Sequence, residues 1–162
     1  MKTLSCFVIM PFADAKDDPV KLVRDDKRGL AVLPTGCQAM LPGGGPDPDN
    51  KPIPLDFNFV YDKIISRSIK DFNEKHAKKI EIKWNRAQDI QQGGAINDQV
   101  INKICTADIT ITDITTLNPN VFLEHGIRLA IKDSLNLMIC HRGLKIPFDV
   151  SAERCIFYSK DV

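Results

Sequence analysis

The chain has 162 residues, 43% of them hydrophobic, which suffices to bury one sizeable core and leaves no room for a second full domain. Its 22 basic and 21 acidic residues give a formal net charge of +1, so no long-range field exists to attract nucleic acid or an anionic membrane surface. No stretch approaches the roughly 20 apolar residues of a membrane-spanning helix, and neither a membrane nor a nucleic acid is expected as a partner.

The five cysteines, at positions 6, 37, 105, 140 and 155, contain no C-x-x-C pair and are odd in number. They read as buried thiols in a reducing cytosol, not as a disulfide frame or a zinc site, and no metal is expected. The apolar run after Lys2 is cut by Pro11 and Asp14 at the length of a strand, with no A-x-A cleavage pattern behind it. That argues against a signal peptide and for a cytoplasmic protein.

In chain order, Leu4 to Met10 is a continuous apolar run stopped by Pro11, the pattern of a strand buried on both faces. From Phe57 to about His76 the residues Phe57, Val60, Tyr61, Ile64, Ile65, Ile69 and Phe72 recur at helical spacing, with Asp56 placed as N-cap. Lys79 to Trp84 alternates apolar and charged residues, which predicts a half-buried edge strand, with Trp84 as core or edge filler. Gly93 and Gly94 break the chain before a helix whose inner stripe is Ile96, Val100, Ile101 and Ile104. Asp108 to Ile114 is rich in β-branched residues and predicts a central strand. Asn118 followed by Pro119 is a capping side chain ahead of proline at the first helical position, and the helix it opens runs to about Lys132. Leu135 to Cys140 and Cys155 to Tyr158 predict the fourth and fifth strands.

Alternating strands and helices at these spacings require right-handed crossovers and a parallel sheet covered on both faces. The expected fold is a flavodoxin-like α/β three-layer sandwich with a five-stranded parallel sheet in the order 2-1-3-4-5, forming a single domain over residues 1–162. Its crevice opens between the first and third strands at their C-terminal ends, where Met10-Pro11-Phe12 meets the stretch from Asp113 to Asn120. The winding does not need residues 13–56, which hold seven prolines and the run Gly43-Gly44-Gly45. Much of that insertion cannot be regular structure, although its opening part, Val20 to Leu33, suits a short helix and strand. It reads as a lid, an oligomer contact or a mobile insertion without a role.

Four blocks carry a family resemblance: Cys6-Phe7-Val8-Ile9-Met10-Pro11-Phe12; Phe59-Val60-Tyr61-Asp62-Lys63-Ile64-Ile65; Ala107 to Thr115 running into Asn118-Pro119-Asn120-Val121-Phe122-Leu123-Glu124-His125-Gly126; and Pro147-Phe148-Asp149. Together they resemble the nucleoside 2-deoxyribosyltransferase-like proteins, relatives of TIR domains found in bacterial defence systems. The resemblance implies that Glu124 attacks or stabilises the anomeric carbon of a ribosyl group as its N-glycosidic bond breaks. The transferases place an aspartate six residues before that glutamate, where this chain has Asn118, and an amide can share neither the charge nor the proton. Their second acid, on the preceding helix, has Asp98 as its nearest counterpart. Similarity to TIR domains implies instead a hydrolase that cleaves NAD or a related nucleotide in antiviral defence. The nucleotide is then substrate, with no cofactor implied.

The residues themselves leave alternatives open. An oxocarbenium-like transition state needs a carboxylate beside the anomeric carbon and groups that hold the ribose hydroxyls. Glu124 suits the first role and Asn118 or Asn120 the second, with Asn120 and Glu124 four apart on one helix face. The helix N-terminus is expected to favour the ionised carboxylate. The plainer reading has Glu124 as a surface glutamate and the asparagines as caps. Asp113 suits either a ribose hydroxyl or the amides of the following turn, and Arg86 either a phosphate or a surface ion pair. His125 reads as a packing residue. The competing functions are a non-catalytic nucleotide-binding sensor or assembly domain and a nucleoside deoxyribosyltransferase. A phosphorylation receiver is set aside because Met10-Pro11-Phe12 supplies no oxygen ligands for Mg²⁺. An uncovered last strand at the C-terminal edge, or the inserted loop, is expected to mediate a homo-oligomer or association with a further domain.

Overall fold

A computed structural model describes residues 1–11, 21–25, 29–33, 56–90, 96–131, 135–142 and 146–159. The chain begins with β1 (Lys2–Ile9), followed inside the insertion by β2 (Lys21–Asp25) and β3 (Gly29–Leu33). A helical run then passes from α1 (Phe57–Phe59) through a π-helical segment, Val60–Ile65, into α2 (Ser66–His76). After β4 (Ile80–Arg86) come α3 (Ile96–Thr106), β5 (Ile109–Asp113), α4 (Pro119–Ile131), β6 (Leu135–His141) and β7 (Cys155–Tyr158).

The strands β4-β1-β5-β6-β7 form one sheet, and every pair in it is parallel. Counted along the main winding, this is the order 2-1-3-4-5 of a flavodoxin-like α/β fold. The β-branched run of β5 explains its central place, since all five of its residues are buried. Residues alternate between two cores. Cys6, Val8, Ile109, Ile111 and Ile139 pack under Phe57, Val60, Tyr61, Ile65 and Ile69. On the opposite face Phe7, Ile9, Met138 and Cys140 pack under Val100, Ile104 and Val121. Layering on both faces follows from this period of two in the strands and the helical period in their covers.

Asp56 caps the first helical run, its Oδ1 accepting from the Phe59 amide at 3.0 Å. The apolar stripe ends at Ile69, however, and Phe72 is 37% exposed beside the His76 ring. Ile101 is likewise outside the expected inner stripe of α3, at 41% exposure. One residue turns the helix by about 100°, so with Val100 buried against the sheet Ile101 faces away. The edge strand β4 is secured by Asn73 of α2, which donates through Nδ2 to the Ile82 carbonyl and accepts from the Ile82 amide, both at 2.8 Å. Trp84 of the same strand donates to Ser66 Oγ at 2.9 Å, an edge role between helix and sheet.

Within the insertion, β2 and β3 pair antiparallel, Lys21 opposite Leu33 and Asp25 opposite Gly29. The helix expected in this stretch is replaced by a strand, consistent with the β-branched Val23 and Val32 favouring extended backbone. The proline-rich remainder of the insertion, Gly93-Gly94 and the neighbouring Phe12 lie outside the described residues.

Candidate functional site

β1 pairs with β4 on one side and β5 on the other, so the winding reverses at β1 and a crevice is opened at the strands' C-terminal ends. The register sets Ile9 beside Thr112 and Val8 beside Arg86. That brings Met10-Pro11, Arg86 and Asp113 to one edge of the sheet. The helices α3 and α4 begin on the same edge, because each leads back from a strand's C-terminal end. Asp98, Asn118, Asn120 and Glu124 are thereby carried to the same C-terminal end of the sheet as Arg86, with α3 and α4 packed on the face opposite Tyr61.

The residues of this edge divide into a buried frame and an accessible rim. Asp113 belongs to the frame and is fully buried. Its Oδ1 accepts from the Thr115 amide at 2.9 Å and from the Thr115 hydroxyl, while its Oδ2 accepts from Tyr158 Oη at 2.9 Å. Thr115 Oγ1 in turn accepts from the His141 amide at 3.0 Å. Burial pushes the Asp113 carboxyl above its usual range, against the pull of these donors. The carboxylate therefore ties the ends of β5, β6 and β7 together and orders the turn after β5, with its oxygens directed at protein donors. Met10 and Pro11 are buried as well, Met10 in the core beside Phe57. They shape the crevice from beneath.

Asn118 closes the start of α4. Its Oδ1 accepts from the Asn120 amide at 2.9 Å and its carbonyl from the Phe122 amide at 3.1 Å. Leu117 adopts a left-handed backbone with φ of 52° to bring the chain into this cap. Asn120 is exposed in the first turn, and Glu124, one turn on, is half-buried. No described residue gives Glu124 a hydrogen bond or an ion pair. Burial raises its pKa, and Glu124 stands beyond the first turn of α4, where the helix-terminus effect that the sequence suggests has faded. Asp98 is exposed in the first turn of α3.

His125 is buried beneath this rim, with Nδ1 3.2 Å from Thr112 Oγ1. Its Nε2 has no hydrogen-bond partner among the described residues. Burial lowers its pKa, partly offset by Glu153, which favours the neutral imidazole of a packed residue. Arg86 ends β4 with its guanidinium over the Tyr61 ring, 4.3 Å from the centroid, and its Nε 3.6 Å from Asp89 Oδ1.

No family model, curated protein or solved structure matches the chain. Among the described residues no three His, Cys, Asp or Glu side chains are grouped to hold a metal ion, and no helix is long and apolar enough to cross a membrane. A separate cleft of about 210 Å³ lies against α3, lined by residues including Phe7, Lys83, Asn85 and Lys103. Its lining includes none of the candidate site residues Met10, Pro11, Arg86, Asp98, Asp113, Asn118, Asn120 and Glu124.

Sequence reasoning missed the partners that fix the site: Tyr61 and Asp89 around Arg86, and Thr115, His141 and Tyr158 around Asp113. Two had a local signal. Thr115 stands two residues after Asp113, the spacing of a side chain that bonds its own turn, and Asp89 stands three after Arg86. Tyr158 lies 45 residues from Asp113 and had none.

Proposed function

We propose that this protein is a hydrolase that cleaves the N-glycosidic bond of NAD or a related nucleotide, acting in the cytoplasm in antiviral defence, as its resemblance to TIR-like and nucleoside deoxyribosyltransferase-like proteins implies. The observation that carries the reading is Glu124: a half-buried carboxylate near the start of α4, raised in pKa by burial and without a partner among the described residues. A carboxylate held out of water without a counter-charge is costly unless something positive arrives beside it. An anomeric carbon developing oxocarbenium character is such a group. Water then adds to that carbon, the base departs with the electrons of the broken C–N bond, and the water's proton is released. Asn120, on the same helix face, is the group to hold a ribose hydroxyl. Asn118 is engaged as a cap and carries no charge, which favours hydrolysis over transfer.

The test is Glu124→Gln, which keeps shape and helix propensity and removes the charge. Base release from a panel of nucleosides and dinucleotides is followed by chromatography, and affinity by calorimetry on the same two proteins. The expected loss is about 10²-fold or more in rate, with ground-state affinity changed far less. Turnover persisting within a fewfold in the variant excludes Glu124 from the chemistry. The second reading, a non-catalytic nucleotide sensor, is favoured by the engagement of Asn118 as a cap at the position where the transferases hold an aspartate. Its mark is retained ligand with no base released by either protein.

A further inference from the structure

The strand β4 ends in a cluster that the breaking of a glycosidic bond does not require. Tyr61 lies in the π-helical segment Val60–Ile65, and such wide turns are uncommon and recur at functional positions. Its hydroxyl donates to Asp89 Oδ2 at 2.9 Å, and the Arg86 amide donates to the same oxygen at 3.1 Å. The Arg86 side chain is folded over the Tyr61 ring and is 16% exposed, with Nε turned toward Asp89. An arginine held flat against an aromatic face has lost most of its rotamer freedom before any ligand arrives. Its terminal nitrogens donate to no described residue, and they stand one strand from the end of β1, where the crevice opens.

We infer that Arg86, clamped by Tyr61 and Asp89, is an anion-binding subsite for a phosphate group, so that the crevice takes phosphate-bearing nucleotides in preference to free nucleosides. The inference rests on the reading of the crevice as a ribosyl-compound site and deepens it to a substrate class. A planar guanidinium presents two parallel donors to two phosphate oxygens, and the Tyr61 ring fixes the plane in which they lie. Asp89 has one oxygen committed to Tyr61 and to the β4 backbone, so its role is to hold the clamp. The π-helical turn is the part of the helix that sets Tyr61 beneath the guanidinium.

Calorimetric titrations with ADP-ribose, which carries a diphosphate and has already lost the nicotinamide of NAD, and with adenosine separate the possibilities. The wild type is expected to bind ADP-ribose at least tenfold more tightly than adenosine, with an affinity that falls as salt is raised. Arg86→Gln is expected to remove that tenfold preference and leave adenosine unchanged. Arg86→Lys restores only part of it, because an ammonium is a point charge without the fork. Tyr61→Phe, which keeps the ring and frees Asp89, is expected to give an intermediate loss and serves where the arginine variants fold poorly. Equal ADP-ribose affinity in wild type and Arg86→Gln, or adenosine bound as tightly as ADP-ribose, overturns the subsite. So does a failure of ADP-ribose to bind at all. Arg86-dependent ADP-ribose binding without base release from any nucleotide overturns the hydrolase reading and leaves the subsite standing, whereas base release with Arg86-independent binding does the reverse.

Discussion

At the scale of single residues, two carboxyls on one sheet edge are raised in pKa by the same cause and have opposite surroundings. Glu124 has no described partner, whereas Asp113 is fully buried among donors. For Asp113 the sign of the pH dependence follows from linkage. Its folded value lies above the ordinary 3.8, so the native state holds the proton where the unfolded chain releases it. The contribution to stability is complete below the unfolded value and is lost as pH rises through the folded one. Asp113→Asn removes this titration while keeping an acceptor for Thr115. Urea midpoints measured across the acidic range are therefore expected to fall with rising pH more steeply in the wild type than in Asp113→Asn, and parallel curves exclude the assignment. The cysteines obey the same physics. Burial pushes the Cys6 and Cys140 thiols up to about 12, as expected of inert core residues, whereas Cys105 and Cys155 are only half-buried and Cys37 lies outside the described residues.

At the scale of elements, the least legible feature is the one that joins three of them. Arg128 of α4 is fully buried and donates to the Ile104 carbonyl at 2.6 Å, the Ala107 carbonyl at 2.7 Å and Asn136 Oδ1 at 3.1 Å. It satisfies carbonyls at the C-terminal end of α3 and locks that end against β6. Nothing in the spacing of α4 distinguishes Arg128 from a surface arginine, since its partners lie 8 to 24 residues away. Arg128→Met preserves most of the stem's packing and removes the donor to the Ile104 carbonyl, while Asn136 Oδ1 still accepts from the Thr110 hydroxyl, so a loss of about 2 kcal/mol is expected in urea denaturation. A loss below about 1 kcal/mol, within the range of ordinary surface changes, shows that the carbonyls are satisfied in another way. The π-helical turn was hidden for a different reason. Phe57, Val60, Tyr61, Ile65 and Ile69 fit a regular helical stripe when read along the chain, and one wide turn shifts the phase without breaking the apolar pattern.

At the scale of the whole molecule, the sheet order was legible because its determinants are local: a buried apolar run for β1, a β-branched run for β5, and helical stripes between them. The order in turn gathers Arg86, Asn118, Asn120 and Glu124 on one edge, so much of the candidate site was legible through topology. What surrounds each of them was not, because it depends on contacts across the fold. Among the described residues β7 is the last strand of the sheet, paired with β6, and leaves Ile156 51% and Phe157 43% exposed on its two faces. An uncharged edge strand of this kind is a template for another chain, and association between copies is the expected use. Sedimentation over a range of concentrations is expected to show the wild type associating and Phe157→Lys shifted toward monomer. A wild type monomeric throughout excludes this edge as a contact. The separation of frame from rim has one more consequence. Asp113 and Arg128 spend their hydrogen bonds inside the protein, while Asn120 and Glu124 take no part in the buried cores. Substitution along the rim therefore leaves the buried hydrogen bonds of the frame untouched, so one chemistry can be exchanged for another at a few positions without rebuilding the scaffold beneath them.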